Sequence, residues 1–542
     1  MTLSKGAVGN LINRYRAVLR KCRMMNVFGS LAVAGMLIAG SAGMAGAETY
    51  YYTGSASEAV SDVVGGSWQD TDGAPVSDII SKQAGSGKAD EYHFQPGVYD
   101  GSQSANSQGW LVQGGNAGIH ILSDGPLTVQ GWGTASGNPP DRAVVSSDGE
   151  IVFGDNVSIL NNYASGDATG GGGAIFSKGN IVFGDYATLS GNQTAKPISG
   201  PFYGGGAVFL NGSGEVQLGK SATIEGNEAF RYGGGIYSKG DVSIGENAVI
   251  RNNAVHLGYG GALSVAGKLT MKGASRVESN HAEMGGGAVY STGVLNVEGS
   301  TFKKNTAYYE EDMSKSEYGG AIFNHGGSAY IGLGTWLEDN QAGLEAQQKG
   351  WGGAICSLGA LSVRGATLKN NRSANYGGGI HSQVSLEMGE TLMEGNYAGK
   401  YGGALSSAES IVSVADSTFK NNTAVTSGGA IYTVDSTLTF DKTVMESNEA
   451  ANGGAVYNKS SVLSLTDSEI RGNSATSLGG AIYANDARIS LDGTLIEGNK
   501  GPNGGGLFSA ATSFSIENSL FKGNVATASG GAVYAQRGEL KL

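Results

Sequence analysis

The sequence predicts an all-β fold, a right-handed parallel β-helix with three short strands and about 25–26 residues in each regular coil. The motif Gly-Gly-[Ala/Gly]-[Ile/Val/Leu] occurs fourteen times, starting at residues between Gly172 and Gly530. Each copy follows an apolar residue that has Asn three positions later. Between copies, apolar residues alternate with period two and no helical periodicity fits. The chain therefore reads as one solenoid that grows coil by coil.

Residues 1–47 are predicted to be a signal peptide with an extended basic beginning. An apolar run at 27–44 precedes Ala45-Gly46-Ala47, the small residues that signal peptidase requires. A retained membrane anchor is the alternative interpretation of the run. The basic residues are Lys5, Arg14, Arg16, Arg20, Lys21 and Arg23. Cleavage changes the net charge from −12 to −18 (−12 − 6), which argues against nucleic acid or anionic lipid as a partner.

Residues 48–150 are predicted to form an N-terminal cap and irregular first coils. Residues 57–64 have the pattern of a short amphipathic helix that would cover the core. The segment from Tyr92 to Tyr99 resembles the opening strand and turn of pectin-lyase-like β-helices.

Residues 151–542 are predicted to be the repetitive β-helix, and the segment from Gly428 to Asn448 illustrates one coil. Ile431 begins a first strand, Leu438 and Phe440 alternate with Thr on a second, and Val444 and Met445 lie on a third. The glycine pairs suit a corner that needs positive φ or close backbone approach. They precede strands and not helices, which argues against phosphate binding.

Stacked coils place equivalent residues next to each other, so each repeat position forms a column. The Asn column from Asn162 to Asn524 is predicted to form a hydrogen-bonded amide ladder. Two residues before each Asn, the charge alternates in sign through twelve coils. We predict that this column faces solvent and fixes the register of the coils. It consists of Glu225, Arg251, Glu278, Lys303, Glu338, Lys369, Glu394, Lys420, Glu446, Arg471, Glu497 and Lys522.

Four loops, at 163–171, 193–204, 306–318 and 341–351, interrupt the rhythm between the Asn and the glycine pair. They are predicted to emerge from one edge of the solenoid, where such folds usually bind partners. The chain stops at Leu542, one strand after the last glycine pair, so we expect a solenoid cut short at its C-terminus.

An aromatic column directly before the glycine pairs is the main candidate for a ligand platform. Stacked rings bind sugar rings or a protein partner, although the alternative is that they only pack on one another. The residues are Tyr203 (one place earlier in its coil), Tyr232, Tyr259, Tyr318, Trp351, Tyr376 and Tyr401, and Gly285 breaks the row.

No catalytic, cofactor-binding or metal-ligating residue is predicted, since the six His residues are scattered and no Walker loop occurs. One set of five carboxylates is a possible functional cluster. Its members recur at the turn before the third strand of five successive coils, and they are Asp416, Asp441, Asp467, Asp492 and Glu517. Turn capping is favoured. The alternatives are a weak Ca²⁺ site or a hydrolytic pair. Cys356 is the one cysteine beyond the signal peptide and is interpreted as a small packing residue, not a nucleophile.

The alternating motifs Gly-Gly-Ala-Ile and Phe-x-x-Asn resemble the passenger repeats of chlamydial polymorphic outer membrane proteins and related autotransporters. The first occurs literally at 172, 319, 352, 428 and 479, and the second at 302–305, 419–422 and 521–524. The resemblance implies a surface-displayed β-helix passenger, often an adhesin. The family ends in an outer-membrane β-barrel, which this sequence does not contain.

The sequence thus predicts an exported passenger of autotransporter type, without a cofactor, that acts as an adhesin for a host-surface protein or glycan. Two alternatives remain: a polysaccharide lyase or hydrolase, and a passive structural stalk at the surface. The predicted location is the cell surface, the outer membrane or the secreted fraction, or the periplasm if the barrel is missing from the complete protein.

Overall fold

The computed structural model describes residues 49–52, 68–69, 75–76, 90–94, 96–100, 111–113, 118–132, 143–164, 171–194, 204–309, 315–344, 349–537 and 540–541. The predicted signal peptide, the predicted capping helix at 57–64 and Tyr203 lie outside these residues. The division of the chain at residues 47 and 150 stays a prediction.

The described residues form a parallel β-solenoid, and all of their regular structure is β. In the repetitive region each strand pairs in parallel with the equivalent strand of the coil before and the coil after, as Ile431 does with Leu405 and Val456. The predicted fold class is confirmed.

Each regular coil has four short strands, one more than the three predicted. In the coil after Gly428 they are Ile431–Val434, Thr437–Asp441, Val444–Glu446 and Glu449–Asn452. We number the sheets that these strands build I, II, III and IV in that order. The fourth strand covers only two residues in most coils, too few to show a period of two in the sequence.

Sheet I follows the glycine pairs and has sixteen strands among the described residues. They are Leu111–Gln113, Val145–Ser147, Ile175–Ser177, Val208–Leu210, Ile236–Ser238, Leu263–Val265, Val289–Ser291, Ile322–Asn324, Ile355–Ser357, Ile380–Ser382, Leu405–Ala408, Ile431–Val434, Val456–Lys459, Ile482–Asn485, Leu507–Ala510 and Val533–Gln536.

Sheet II has twenty strands in the described part of the chain, and its N-terminal strands at 49–52, 68–69 and 75–76 pair antiparallel with one another. The strands are Thr49–Tyr52, Trp68–Gln69, Pro75–Val76, Asp90–Phe94, Ile119–Ser123, Ile151–Phe153, Ile181–Phe183, Glu215–Leu218, Asp241–Ile244, Leu269–Met271, Leu295–Val297, Ala329–Ile331, Ala360–Arg364, Ser385–Gly389, Ile411–Ala415, Thr437–Asp441, Val462–Thr466, Arg488–Asp492, Ser513–Glu517 and Leu540–Lys541.

Sheet III has sixteen described strands. They are Gly97–Asp100, Leu127–Gln130, Val157–Leu160, Thr188–Ser190, Thr223–Glu225, Val249–Arg251, Arg276–Glu278, Thr301–Lys303, Trp336–Glu338, Thr367–Lys369, Leu392–Glu394, Thr418–Lys420, Val444–Glu446, Glu469–Arg471, Leu495–Glu497 and Leu520–Lys522. The strand and turn predicted from Tyr92 to Tyr99 are confirmed by Asp90–Phe94 of sheet II and Gly97–Asp100 of sheet III.

Sheet IV has fourteen described strands, and a separate parallel pair is formed by Ser316–Tyr318 and Lys349–Trp351. The strands of sheet IV are Tyr163–Ala164, Gln193–Thr194, Glu228–Ala229, Ala254–Val255, His281–Ala282, Thr306–Ala307, Gln341–Ala342, Arg372–Ser373, Tyr397–Ala398, Thr423–Ala424, Glu449–Asn452, Ser474–Leu478, Lys500–Asn503 and Val525–Ser529.

One hydrophobic core runs through the coils from Tyr92 to Phe514. In the coil after Gly428, Ile431, Leu438, Phe440 and Met445 point inward and are at most 1% exposed. The side chains between them, such as Thr439, face outward, as the period of two requires.

The glycine pairs have the two roles that the sequence predicts. From Gly233 onward, the first glycine of each pair has positive φ, as Gly402 does at 67°. The second lies against the next coil: a Cβ on Gly403 would come within 2.1 Å of the Gly429 carbonyl oxygen. Any side chain at this second position would push the two coils apart.

The Asn column forms the predicted amide ladder without a gap from Asn162 to Asn524. Asn422 is fully buried and donates from Nδ2 to Oδ1 of Asn448 at 3.0 Å, while its own Oδ1 accepts from Nδ2 of Asn396 at 3.0 Å. The residue before each ladder Asn has positive φ, as Asn421 does at 55°, which produces the sharp turn that directs the amide inward.

The alternating charges also form the predicted column, on the outer face of sheet III. Every residue of the column is aligned with one of opposite sign in the next coil, as Lys369 is with Glu394 and Glu394 with Lys420. Lys369 Nζ lies 3.1 Å from a Glu394 carboxylate oxygen, and both side chains are partly exposed. Each such pair contributes little to the free energy of folding. Together they oppose a mispairing in which sheet III strands skip one coil, because that pairing would align like charges.

Candidate functional site

The predicted aromatic column lies at the corner between sheets IV and I. Tyr232, Tyr259, Tyr318, Trp351, Tyr376 and Tyr401 each stand directly before a glycine pair. Backbone bridges align Tyr232 with Tyr259 and Trp351 with Tyr376 and Tyr401, and Gly285 lies between Tyr259 and Tyr318. The structure therefore brings these six residues together in one row.

A second aromatic column, which the sequence analysis missed, lies beside the first on sheet I. Its members follow the core Ile, Val or Leu that ends each glycine motif, so they project from the outer face. The signal in the sequence is the aromatic residue that directly follows many glycine motifs, as in Gly-Gly-Ala-Ile-Tyr. The residues are Phe176, Phe209, Tyr237, Tyr290, Phe323, Tyr432, Tyr457, Tyr483, Phe508 and Tyr534.

The two columns merge into one continuous row of sixteen rings, which we call the aromatic stripe. Successive ring centroids are 4.6–6.3 Å apart. In order of contact the rings are Phe176, Phe209, Tyr237, Tyr232, Tyr259, Tyr290, Phe323, Tyr318, Trp351, Tyr376, Tyr401, Tyr432, Tyr457, Tyr483, Phe508 and Tyr534. Where one column has a small residue, the other supplies the ring: Tyr290 accompanies Gly285, and Tyr401 accompanies Ser406.

Most rings of the stripe are half-buried, because each covers part of its neighbours. Phe323 is 2% exposed, whereas Tyr376, Tyr401 and Trp351 keep part of their surface in solvent. Burial raises the pKa of Tyr376 above the ordinary tyrosine value. The stripe is therefore an uncharged, ordered apolar surface with hydroxyl groups at its edge.

The described residues place both ends of each loop at this corner, between a sheet IV strand and a glycine pair, while residues 165–170, 195–203, 310–314 and 345–348 lie outside the described part of the chain. Two of them are themselves paired, through the parallel strands Ser316–Tyr318 and Lys349–Trp351. The loop at 306–318 adds rings: Tyr308 lies 4.6 Å from the ring of His281, and Lys315 Nζ lies 4.2 Å from the ring centroid of Tyr309.

Cys356 and His381 lie beneath the stripe in aligned positions of sheet I. Trp351 packs edge-on against His381, with centroids 4.7 Å apart. Burial raises the pKa of the Cys356 thiol and lowers that of His381 to about 3. Both side chains are uncharged packing groups at neutral pH, in agreement with the interpretation of Cys356 from the sequence.

The comparisons with known proteins identify the repeat. The family model of the Chlamydia polymorphic membrane protein repeat matches residues 416–434, 467–485 and 518–536. Three segments of the chain are thus similar to this repeat. Repeats of this type indicate a surface-exposed protein of the autotransporter kind. No curated protein and no solved structure matches the chain.

The three matched polymorphic membrane protein repeats start 51 residues apart (467 − 416 and 518 − 467), which corresponds to two coils. Each carries a positive member of the charge column: Lys420, Arg471 and Lys522. In this region the pairing of sheet IV has a register irregularity in successive coils, as between Ala450 and Asn452. The glycine pairs at Gly428, Gly453, Gly479 and Gly504 are alternately 25 (453 − 428, 504 − 479) and 26 (479 − 453) residues apart, so the repeat has a period of two coils, as the charge alternation has.

The five carboxylates lie at the turn between sheets II and III, before the third strand of each coil, but they occupy two backbone positions and do not form a single column. Asp441 and Asp492 are both aligned with Thr466, whereas the backbone places Asp416 and Asp467 one position later in the turn. The residues of this second position have positive φ, as Asp416 does at 48°, which suits a turn residue. The difference arises because adjacent coils in this region differ in length by one residue.

Two further observations bear on binding. Across the described ranges, no group of three or more His, Cys, Asp and Glu side chains is placed to hold a metal ion. The described part of the chain also has no apolar helix of membrane-spanning length.

Proposed function

We propose that the protein is a surface passenger that acts as an adhesin, with the loop-side part of the aromatic stripe as its contact face. The observation that carries this proposal is the coincidence of the half-exposed rings and the loops at one corner of the solenoid. The polymorphic membrane protein repeats support display at the surface.

The stripe suits a binding face for a physical reason. Its rings are already ordered by contact with their neighbours, as Tyr376 and Tyr401 are at a centroid separation of 5.0 Å. Binding would therefore cost little side-chain entropy and would cover further apolar surface. Aromatic anchors with hydroxyl groups at one edge fit a host-surface protein or a glycan.

The test compares two pairs of substitutions that remove equivalent stacking. Tyr376→Ala with Tyr401→Ala removes two rings beside the loops. Tyr457→Ala with Tyr483→Ala removes two rings stacked at 4.7 Å farther along the stripe. Adhesion of the purified full chain to cultured epithelial cells is measured after both variants are shown by circular dichroism to keep the β-solenoid.

We expect the first pair to reduce cell binding at least tenfold and the second to leave it within about twofold, since hot spots concentrate the energy. Equal binding by both variants and the unchanged chain would refute the proposal. It would then favour a passive surface stalk, in which the rings serve only to pack on one another. The polysaccharide-degrading alternative would be favoured instead if the full chain cleaved any member of a panel of acidic glycans.

A further inference from the structure

A shallow depression of about 720 Å³ lies on the outer face of sheet II, away from the aromatic stripe on sheet I. Small side chains form much of its lining, among them Ser328, Ala360, Ser362 and Ser385. Val294 and Ile411, which are 46% and 67% exposed, lie toward its two ends, and Lys268 lies one coil beyond Val294. Because coils stack about 4.8 Å apart, the depression extends over roughly 20 Å along the solenoid.

Tyr330 supplies a flat aromatic surface in this depression. A Cβ on Gly332 would come within 2.7 Å of Tyr330 Cε1, so the ring extends along the strand over this glycine. Gly332, which directly follows the strand Ala329–Ile331, is buried beneath the ring. The missing side chain at Gly332 thus lets the tyrosine ring lie against the sheet.

Side chains that can form hydrogen bonds occupy the positions of sheet II aligned with this ring in neighbouring coils. Asn296 precedes Tyr330 in the same outward register, and Ser362 and Glu387 follow it. The half-buried Asn296 side chain adds an amide to this row, and its Oδ1 is buried and has no hydrogen-bond partner among the described residues. Glu387 forms an ion pair with Arg364, which cancels its charge.

These features select the class of occupant. The strands of this face are paired on both sides, so a peptide strand cannot add to them and a ligand must bind through side chains. Lys268 at one end is a single cation, and the charges of Glu387 and Arg364 are paired, so the depression lacks the row of cations that a polyanion would need. A flat ring beside amide, hydroxyl and carboxylate groups, in an elongated depression, matches the alternating apolar faces and hydroxyl edges of a sugar chain.

We propose that this depression binds a neutral linear oligosaccharide along the solenoid axis, with one pyranose ring stacked on Tyr330. At about one sugar per coil, the depression accommodates roughly four units. The site lies on a different sheet from the aromatic stripe and does not depend on the proposed adhesin function.

The test is isothermal titration of the full chain with three neutral probes: cellohexaose, the β-1,4-linked hexamer of N-acetylglucosamine, and mannohexaose. Three variants address the site. Tyr330→Ala removes the ring, Gly332→Val keeps the ring and lifts it from the sheet, and Ser362→Trp fills the depression. Thr439→Ala is the control, since Thr439 has the same outward register beyond the depression.

We expect at least one probe to bind with a millimolar or lower Kd. Each site variant should weaken that binding tenfold or more, and Thr439→Ala should leave it unchanged. If Gly332→Val lowers the melting temperature strongly, Tyr330→Ala and Ser362→Trp decide the matter. Absence of binding by all three probes, or binding that survives both Tyr330→Ala and Ser362→Trp, would overturn the proposal.

The outcome is separable from that of the adhesin test. The variant with Tyr376→Ala and Tyr401→Ala should bind the probe as the unchanged chain does, because its substitutions lie on the stripe. Loss of cell adhesion with retained oligosaccharide binding, or the reverse, therefore distinguishes the two proposals.

Discussion

Replacing one amide of the Asn ladder should be among the most destabilising single changes outside the apolar core. Asn422→Ala removes four hydrogen bonds of a fully buried side chain. The Asn396 backbone N–H loses its acceptor at 2.9 Å, and the Met393 carbonyl loses its donor at 2.9 Å. The Asn396 side-chain amide keeps the Leu368 carbonyl, and the Asn448 side-chain oxygen keeps the Asn422 backbone N–H.

The Met393 carbonyl keeps its place in the parallel ladder between the strands Leu392–Glu394 and Thr418–Lys420, so only the Asn396 backbone N–H is left without a partner. At about 1–3 kcal/mol for a buried group left unpaired, the expected loss is about 2 kcal/mol. The control is Asn421→Gly, which removes the neighbouring amide. That side chain is exposed and its backbone has positive φ, so glycine is tolerated there.

The assay combines urea denaturation with hydrogen exchange. The ladder variant should unfold at a lower urea concentration and should exchange the Asn396 amide faster, while amides of distant coils near Asn227 keep their protection. The control should stay within about 1 kcal/mol of the unchanged chain. A loss below about 1 kcal/mol for Asn422→Ala would show that the amide ladder does not stabilise the coils as argued.

Four further predictions follow from the same geometry. Glu394→Lys places like charges beside the lysines of both adjacent coils and should cost about 1 kcal/mol at low ionic strength and less in 1 M salt; an unchanged melting temperature at low salt would refute the role of the charge column. Gly403→Ala should cost several kcal/mol because its Cβ meets backbone at 2.1 Å, whereas Gly498→Ala, with nothing within 4 Å, should cost about 1 kcal/mol from its positive φ alone; equal thermal melts would contradict this. His381 has a pKa of about 3 in the fold and an ordinary value of 6.5 when unfolded, so the stability from its neutral form is complete above pH 6.5 and is lost as the pH falls toward 3. In His381→Gln, the urea concentration at half-unfolding should change less between pH 7 and pH 4 than it does in the unchanged chain. Identical pH profiles of the two proteins would exclude the effect. Millimolar Ca²⁺ should leave the melting temperature unchanged, since the carboxylates at residues 416–517 are divided between two registers; a rise of several degrees would revive a metal site.

Much of the fold could be predicted because a solenoid turns sequence periodicity into spatial contact. Residues at equivalent repeat positions become neighbours, so the amide ladder, the charge column and the glycine corner follow from spacing alone. The repeat spacing is enough to identify Asn396 and Asn448 as the neighbours of Asn422. The same reasoning placed Tyr376 beside Tyr401, because both precede a glycine pair.

The tertiary structure decided contacts between different repeat positions, which depend on the angle of each corner and not on the period. It brought Tyr401 against Tyr432, from separate columns, and so joined two rows of rings into one stripe. It also revealed the two-residue strands of sheet IV and the ring of Tyr330 lying over Gly332. One residue of difference between adjacent coils moved Asp416 and Asp441 into separate registers. The sequence by itself determined which residues stack from coil to coil, and only the folded corners determined which columns touch, because corner geometry follows local φ angles and bulges that leave no regular period in the chain.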